Sequence, residues 1–167
     1  MSALRRKLSG GVTGAAISLA LALLASPLAA QNPVTSLTLA GAVITFPAPT
    51  AADYINGFVN SATGVTFTVN ATAGNQSHTT TVAIRTSSAN LGGGKLVADL
   101  QWRRSDLATW NSITSTNVQV EQRVVVRNGT NDPWNNTIFF RLLVRWATDP
   151  PATYSGNYVI TLSQTVP

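Results

Sequence analysis

The sequence predicts an all-β protein, an immunoglobulin-like antiparallel β-sandwich of about seven strands. Three observations carry that expectation. Apolar and polar residues alternate with period two in one segment after another, Val, Ile, Thr and aromatic residues fill those segments, and Gly, Pro, Asn and Asp punctuate them at short intervals. No window carries the i, i+3, i+4 stripe of an amphipathic helix.

The strands expected from this pattern are Val34 to Phe46, Gly64 to Ala71, Thr79 to Thr86, Lys95 to Arg103, Asn117 to Arg127, Thr137 to Ala147 and Asn157 to Thr165. Between the first two, Pro47 to Asp53 is too brief for an interdomain linker and reads as a crossover. In the fourth strand Leu96, Ala98, Leu100 and Trp102 share the expected core face, while Lys95, Val97, Asp99, Gln101 and Arg103 share the other. In the fifth, Val118, Val120, Val124 and Val126 point together, opposite Gln119, Glu121, Arg123 and Arg127. The sixth aligns Ile138, Phe140, Leu142, Val144 and Trp146. The fifth and sixth are expected to form a hairpin whose long connection, Asn128 to Asn136, is rich in turn formers and is a candidate recognition loop.

Residues 1–30 read as a cleaved secretory leader, and 31–167 as a single β-sandwich domain. Met1 to Lys7 is basic, Val12 to Ala25 is almost unbroken apolar sequence, and Ser26-Pro27-Leu28-Ala29-Ala30 ends in small residues. The apolar run is shorter than the roughly 20 residues that span a bilayer, and no second such segment follows. The expectation is therefore an exported protein, periplasmic, cell-surface or extracellular, without an integral membrane segment after cleavage. With no cysteine in the chain, no disulfide framework supports the domain. That combination reads as bacterial, and little weight falls on the four Asn-x-Ser/Thr triplets at Asn70, Asn75, Asn128 and Asn135.

The formal charge of +5 is concentrated in the leader, where Arg5, Arg6 and Lys7 supply three of the eleven basic residues. The remainder carries a net charge of about +2, which removes the main argument for a nucleic-acid partner. Catalysis is tested by inventory. The single histidine, His78, lies in a polar turn expected to be a flexible hairpin, and a cysteine nucleophile or a histidine-rich zinc site cannot be assembled. Asp53, Asp99, Asp106, Glu121, Asp132 and Asp149 are scattered without a paired spacing, and Asp106, Asp132 and Asp149 read as turn formers. Leu91-Gly92-Gly93-Gly94-Lys95 lacks Walker spacing and reads as a β connection. The expectation is a protein that is not an enzyme and uses no cofactor or metal.

Candidate contact residues fall in two groups. Trp102 and Trp146 are in phase with core residues, whereas Trp110 and Trp134 sit among loop-type residues. A loop ring there either folds over the sandwich edge or stacks on a sugar or partner chain. On the outer face of the sixth strand Phe139 and Leu143 alternate with Arg141 and Arg145. Either the arginines pair with Glu121 or Asp99 while their stems shield the apolar groups, or the face is a subunit contact.

The last segment, Ala152-Thr153-Tyr154-Ser155-Gly156-Asn157-Tyr158-Val159-Ile160-Thr161-Leu162-Ser163-Gln164-Thr165, is a turn followed by an alternating strand. It resembles the closing strand of bacterial secreted pilin-like subunits, spore-coat-U-type and related chaperone-usher proteins, in which a Tyr-x-Gly turn introduces a final strand rich in Thr and Val. The resemblance covers about fourteen residues. It implies a subunit whose exposed groove accepts an N-terminal strand from the next subunit to build a surface fibre, and Val34 to Phe46 would be that strand. An extended Thr/Leu/Val/Ile segment can add to a sheet edge, though it also suits the ordinary first strand of a complete sandwich. The function expected is a structural or adhesive surface protein that partners identical subunits or another envelope protein through an edge strand. The alternative is a carbohydrate-binding module whose tryptophans take a glycan.

Overall fold

The computed structural model describes residues 34–40, 44–72, 74, 76–127 and 133–166. The leader, the cut after Ala30 and the 128–132 part of the expected recognition loop lie outside them. Among the described residues the strands are β1 (Val34–Ala40), β2 (Phe58–Asn60), β3 (Val65–Thr72), β4 (His78–Thr86), β5 (Leu100–Arg104), β6 (Asn111–Ser112), β7 (Val118–Val125), β8 (Trp134–Leu143) and β9 (Tyr158–Thr165). One short helix, α1 (Ala51–Asn56), precedes β2. The strands form two antiparallel sheets, one ordered β1-β3-β8-β5-β6 with β2 also against β8, the other β7-β4-β9. The all-β sandwich predicted from alternation is thus the fold, with nine strands in place of about seven.

Alternation places the core between the sheets. Val65, Phe67 and Val69 of β3 and Ile138, Phe140 and Leu142 of β8 are buried on one side, facing Val82 and Ile84 of β4 on the other. The two end strands contribute less. Leu37 of β1 and Tyr158, Ile160 and Leu162 of β9 are only partly buried against this core.

Several expectations are corrected. The fifth and sixth predicted strands are not a hairpin, because β7 pairs with β4 in one sheet while β8 pairs with β3 and β5 in the other. Their connection crosses between sheets. The valine face of β7 also breaks. Val82 faces Glu121 but Ala83 faces Gln119, so Val120 is an extra residue, and a bulge reverses the inward phase beyond it. Val125 is therefore buried, Val124 and Val126 are exposed, and Glu121 turns inward.

The fourth predicted strand starts late. Gly92, Gly93 and Gly94 all take positive φ, Lys95 N–H closes the turn on Gly92 O at 2.9 Å, and residues 97–99 form a single 3₁₀ turn. This inverts the expected faces over 95–99, where Leu96 is 64% exposed and Lys95 and Asp99 are buried, while Leu100 and Trp102 are buried as expected. Trp146, expected in the core, is also 64% exposed. β8 ends at Leu143, Asp149 N–H bonds Arg145 O at 3.0 Å, and Trp146 rides that turn, stacked on Tyr54 with centroids 4.3 Å apart.

The supposed crossover at Pro47 to Asp53 holds the start of α1. Thr50 caps it, its Oγ1 accepting from Asp53 N–H at 3.3 Å while the Asp53 carboxylate accepts from Thr50 N–H at 2.8 Å. The Thr50 hydroxyl, donating to the Asp53 carboxylate at 2.7 Å, and the Thr50 N–H together hold the Asp53 carboxyl below the usual carboxylate range. The helix stops at Gly57, whose φ of 79° is the left-handed cap. Six residues are too few for an amphipathic stripe, so no periodicity announces it.

Candidate functional site

The outer face of the larger sheet carries a ladder of arginines and aromatic rings. β8 contributes Phe139 and Arg141, two residues apart and hence on one face, and β5 contributes Arg103, paired in register with Phe139. β6 folds back on β5 with Trp102 opposite Asn111, which brings Trp110 over the same face. The Arg141 guanidinium lies 4.5 Å from the Trp110 ring centroid and 5.0 Å from that of Phe58. Arg103 lies 5.1 Å from Trp110 and 5.2 Å from Phe139. Trp110 is therefore held between two cations, each within the roughly 6 Å reach of a cation–π contact.

Hydrogen bonds fix the ladder. Arg141 Nε donates to Gln101 Oε1 at 2.7 Å, and Arg103 Nη1 donates to Leu107 O at 2.9 Å. Burial, with the neighbouring Arg103 charge, pushes the Arg141 guanidinium below its usual pKa. Beside the ladder lies a cleft of about 260 Å³ lined by Asn60, Ser61, Arg103, Trp110, Phe139 and Phe140. One cation, flat rings, an amide and a hydroxyl suit a polar ligand with one apolar face, such as a sugar ring.

Of the sequence-predicted contacts, Trp110, Phe139 and Arg141 meet in this ladder. Leu143 is half-buried on β8 opposite Phe58. Arg145 lies beyond the end of β8 and forms a bidentate pair with Asp99, at 3.0 and 3.2 Å. Trp134 does not belong. It is the first residue of β8, paired with Val69 and buried, with Arg123 5.1 Å from its ring, so no ligand can stack on it as expected of an exposed loop ring. Phe58, Gln101 and Arg103 were not singled out in the sequence. β2 is three residues long, and Gln101 and Arg103 read as an ordinary solvated face.

A second feature lies where the chain's two end strands flank the sandwich. β1 is the last strand of one sheet and β9 the last of the other, and each has one strand neighbour among the described residues. β1 pairs with β3 over seven residues, from Val34↔Thr72 to Ala40↔Thr66. His78, expected in a flexible turn, is instead buried at the start of β4, and its Nε2 lies 3.3 Å from both Thr35 Oγ1 of β1 and Gln164 Nε2 of β9. Its Nδ1 is buried without a hydrogen-bond partner. A larger cleft, about 540 Å³, opens beside β9 between Ile44, Ser88, Asn157 and Tyr158.

A third cluster closes one corner. Lys95 Nζ lies 2.6 Å from Asp149 Oδ2 and 2.9 Å from Asp99 Oδ2. Asp149, expected as a plain turn former, is buried and also accepts Arg145 N–H at 2.8 Å. Burial pushes the Asp99 carboxyl up, but hydrogen bonds and charges from Arg145 and Lys95 outweigh it and hold it below the usual range. Tyr54 OH donates to Asp149 O at 2.7 Å, and burial pushes its phenol up.

Among the described residues no group of three or more His, Asp or Glu side chains is arranged to hold a metal, and no helix is long and apolar enough to cross a membrane. The fold and these features define a two-sheet antiparallel sandwich with an arginine–aromatic outer face and thinly packed end strands. No family model matches the chain, and no curated protein or solved structure does.

Proposed function

We propose that this is an exported, non-catalytic structural or adhesive surface protein whose copies join by exchanging β1. The observation that carries the reading is the way β1 is held. It makes a full seven-pair ladder with β3, yet among its described side chains Leu37 is only partly buried against the core and Leu39 stays exposed. The same ladder and the same Leu37 contact are available to β1 of a second copy, so exchange trades identical bonds and concentration decides between the closed and the open form. The partly covered Ile160 and Leu162 of β9 give an incoming strand apolar contacts on the far side, and the largely polar cleft beside β9 gives it hydrogen-bonding groups. Head-to-tail exchange does not close on itself and builds a filament.

The test is light scattering of the mature chain over a concentration series, with and without residues 31–46. Concentration-dependent oligomers that vanish on deletion are expected. A strict monomer that is merely destabilised by the deletion would remove the proposal.

The cleft beside Trp110 supports a second reading, a carbohydrate-binding module. On that reading Trp110→Ala abolishes retention on immobilised glycans while leaving the folded fraction unchanged.

A further inference from the structure

The Lys95 corner goes beyond either reading. Lys95 is the most enclosed charged residue among those described, its side chain 1% exposed, and both carboxylates that face it are enclosed as well, at 11% for Asp99 and 7% for Asp149. An ammonium between two carboxylates is ordinarily a surface arrangement with water around it. Here water is excluded and the amine touches a carboxylate oxygen of Asp149 at 2.6 Å, so the two groups a condensation would join are already in contact.

The contacts divide the two carboxylates into different roles. Asp149 Oδ2 accepts both Lys95 Nζ and Arg145 N–H, so a fixed backbone donor waits on the oxygen that would bear charge in a tetrahedral adduct. Asp99 is held by the fork of Arg145 and presents Oδ2 to the same amine at 2.9 Å, the place of a group that accepts and returns protons. The chain has no cysteine, so an export-stable cross-link would need other chemistry.

We propose that Lys95 and Asp149 condense to an isopeptide bond, with Asp99 as the proton relay. The Lys95 ammonium gives one proton through Asp99 to the Asp149 carboxylate, leaving a neutral amine and a carboxylic acid. The Nζ lone pair attacks Cγ of Asp149, and Arg145 N–H stabilises the charge on Oδ2. Asp99 takes a second proton from nitrogen and delivers it to Oδ1. The Cγ–Oδ1 bond then breaks and that oxygen leaves as water. One hydrogen stays on the new amide, Asp99 ends as the carboxylate it began as, and no oxidant or co-reactant is consumed. The bond joins residues 54 positions apart, tying the glycine loop before β5 to the turn after β8. Its effect on the unfolded chain is that of a disulfide, a loop closed before folding begins again.

The test is the mass of the purified mature chain under denaturing conditions, followed by peptide mapping. The expected result is a mass one water below that of the sequence, with a branched peptide joining Lys95 to Asp149 and no tryptic cleavage after Lys95. The Lys95→Arg and Asp99→Asn variants are expected at full mass, and Lys95→Arg is expected to migrate more slowly on a denaturing gel because its unfolded chain is not looped. A wild-type chain whose Lys95 and Asp149 peptides separate would overturn the proposal, whether or not the variants fold. A branched peptide that persists in Asp99→Asn would overturn the relay.

Discussion

At the Lys95 corner two buried carboxylates, an ammonium, a guanidinium and a backbone N–H converge within 3.2 Å of one another's partners. At the opposite extreme, the side chains reaching across the β1–β9 flank meet at a single imidazole nitrogen, with 3.3 Å contacts to Thr35 and Gln164. The corner is over-determined, so no single chain segment can leave it without stranding a buried charge. The flank keeps its strand mainly by backbone bonds, which any equivalent strand supplies equally well. On the proposed strand exchange, a fixed corner together with a lightly held end strand would let a copy give up β1 without unfolding.

Four substitutions sharpen that contrast. The largest effect is expected in the strand beside β1. Phe67→Ala should cost about 3–5 kcal/mol in urea denaturation, because Phe67 is fully buried. Its register partner's strand is cheap by comparison: Leu37→Ala should cost about 1 kcal/mol, since Leu37 is only partly covered. Equal costs would mean that β1 is as much a core strand as β3. Next, Lys95→Met should cost about 3 kcal/mol or more, because it leaves buried carboxylates with fewer partners and, on the proposed condensation, also removes the cross-link to Asp149. Thr50→Ala, which removes the cap of α1, should cost about 1 kcal/mol.

The pH dependence separates the regions in another way. Asp99 has a folded pKa below its unfolded value, so its contribution is complete above the unfolded value of about 3.9 and is lost as pH falls through the folded one. Wild-type stability should therefore fall on acidification below about pH 4, and Asp99→Asn should flatten that limb of the denaturation profile. An unchanged acid limb in the variant would show that the corner does not govern it.

Much of the sandwich was legible because period-two alternation survives wherever a strand has one buried face, as in Val65 to Ala71 and Ile138 to Leu142. The misreadings have local causes. One bulge opposite Val82 and Ala83 reversed the phase of β7, and sequence carries no mark of a single inserted residue. The 3₁₀ turn at 97–99 exchanged the places of Leu96 and Lys95, and the turn after β8 carried Trp146 outward. At the candidate site, the spacing of Phe139 and Arg141 predicted a shared face correctly. That Trp110 would reach this face depended on the β5–β6 return, a pairing of only two residues. Trp134 was misplaced because its neighbours Pro133, Asn135 and Asn136 have turn chemistry although the last two lie within β8.

Hydrogen exchange should order the strands in the same way, with β1 amides opening at lower free energy than those of β3 and β8. The most direct measurement uses the register itself. Thr38 of β1 and Thr68 of β3 are paired and sit on the outer face, and the chain has no native cysteine. A chain carrying Thr38→Cys is mixed with a chain carrying Thr68→Cys at high concentration, incubated, and oxidised. Strand exchange predicts a disulfide-linked heterodimer well above the statistical share relative to the two homodimers. Heterodimer at only the statistical share, with β1 remaining on its own β3, would contradict it.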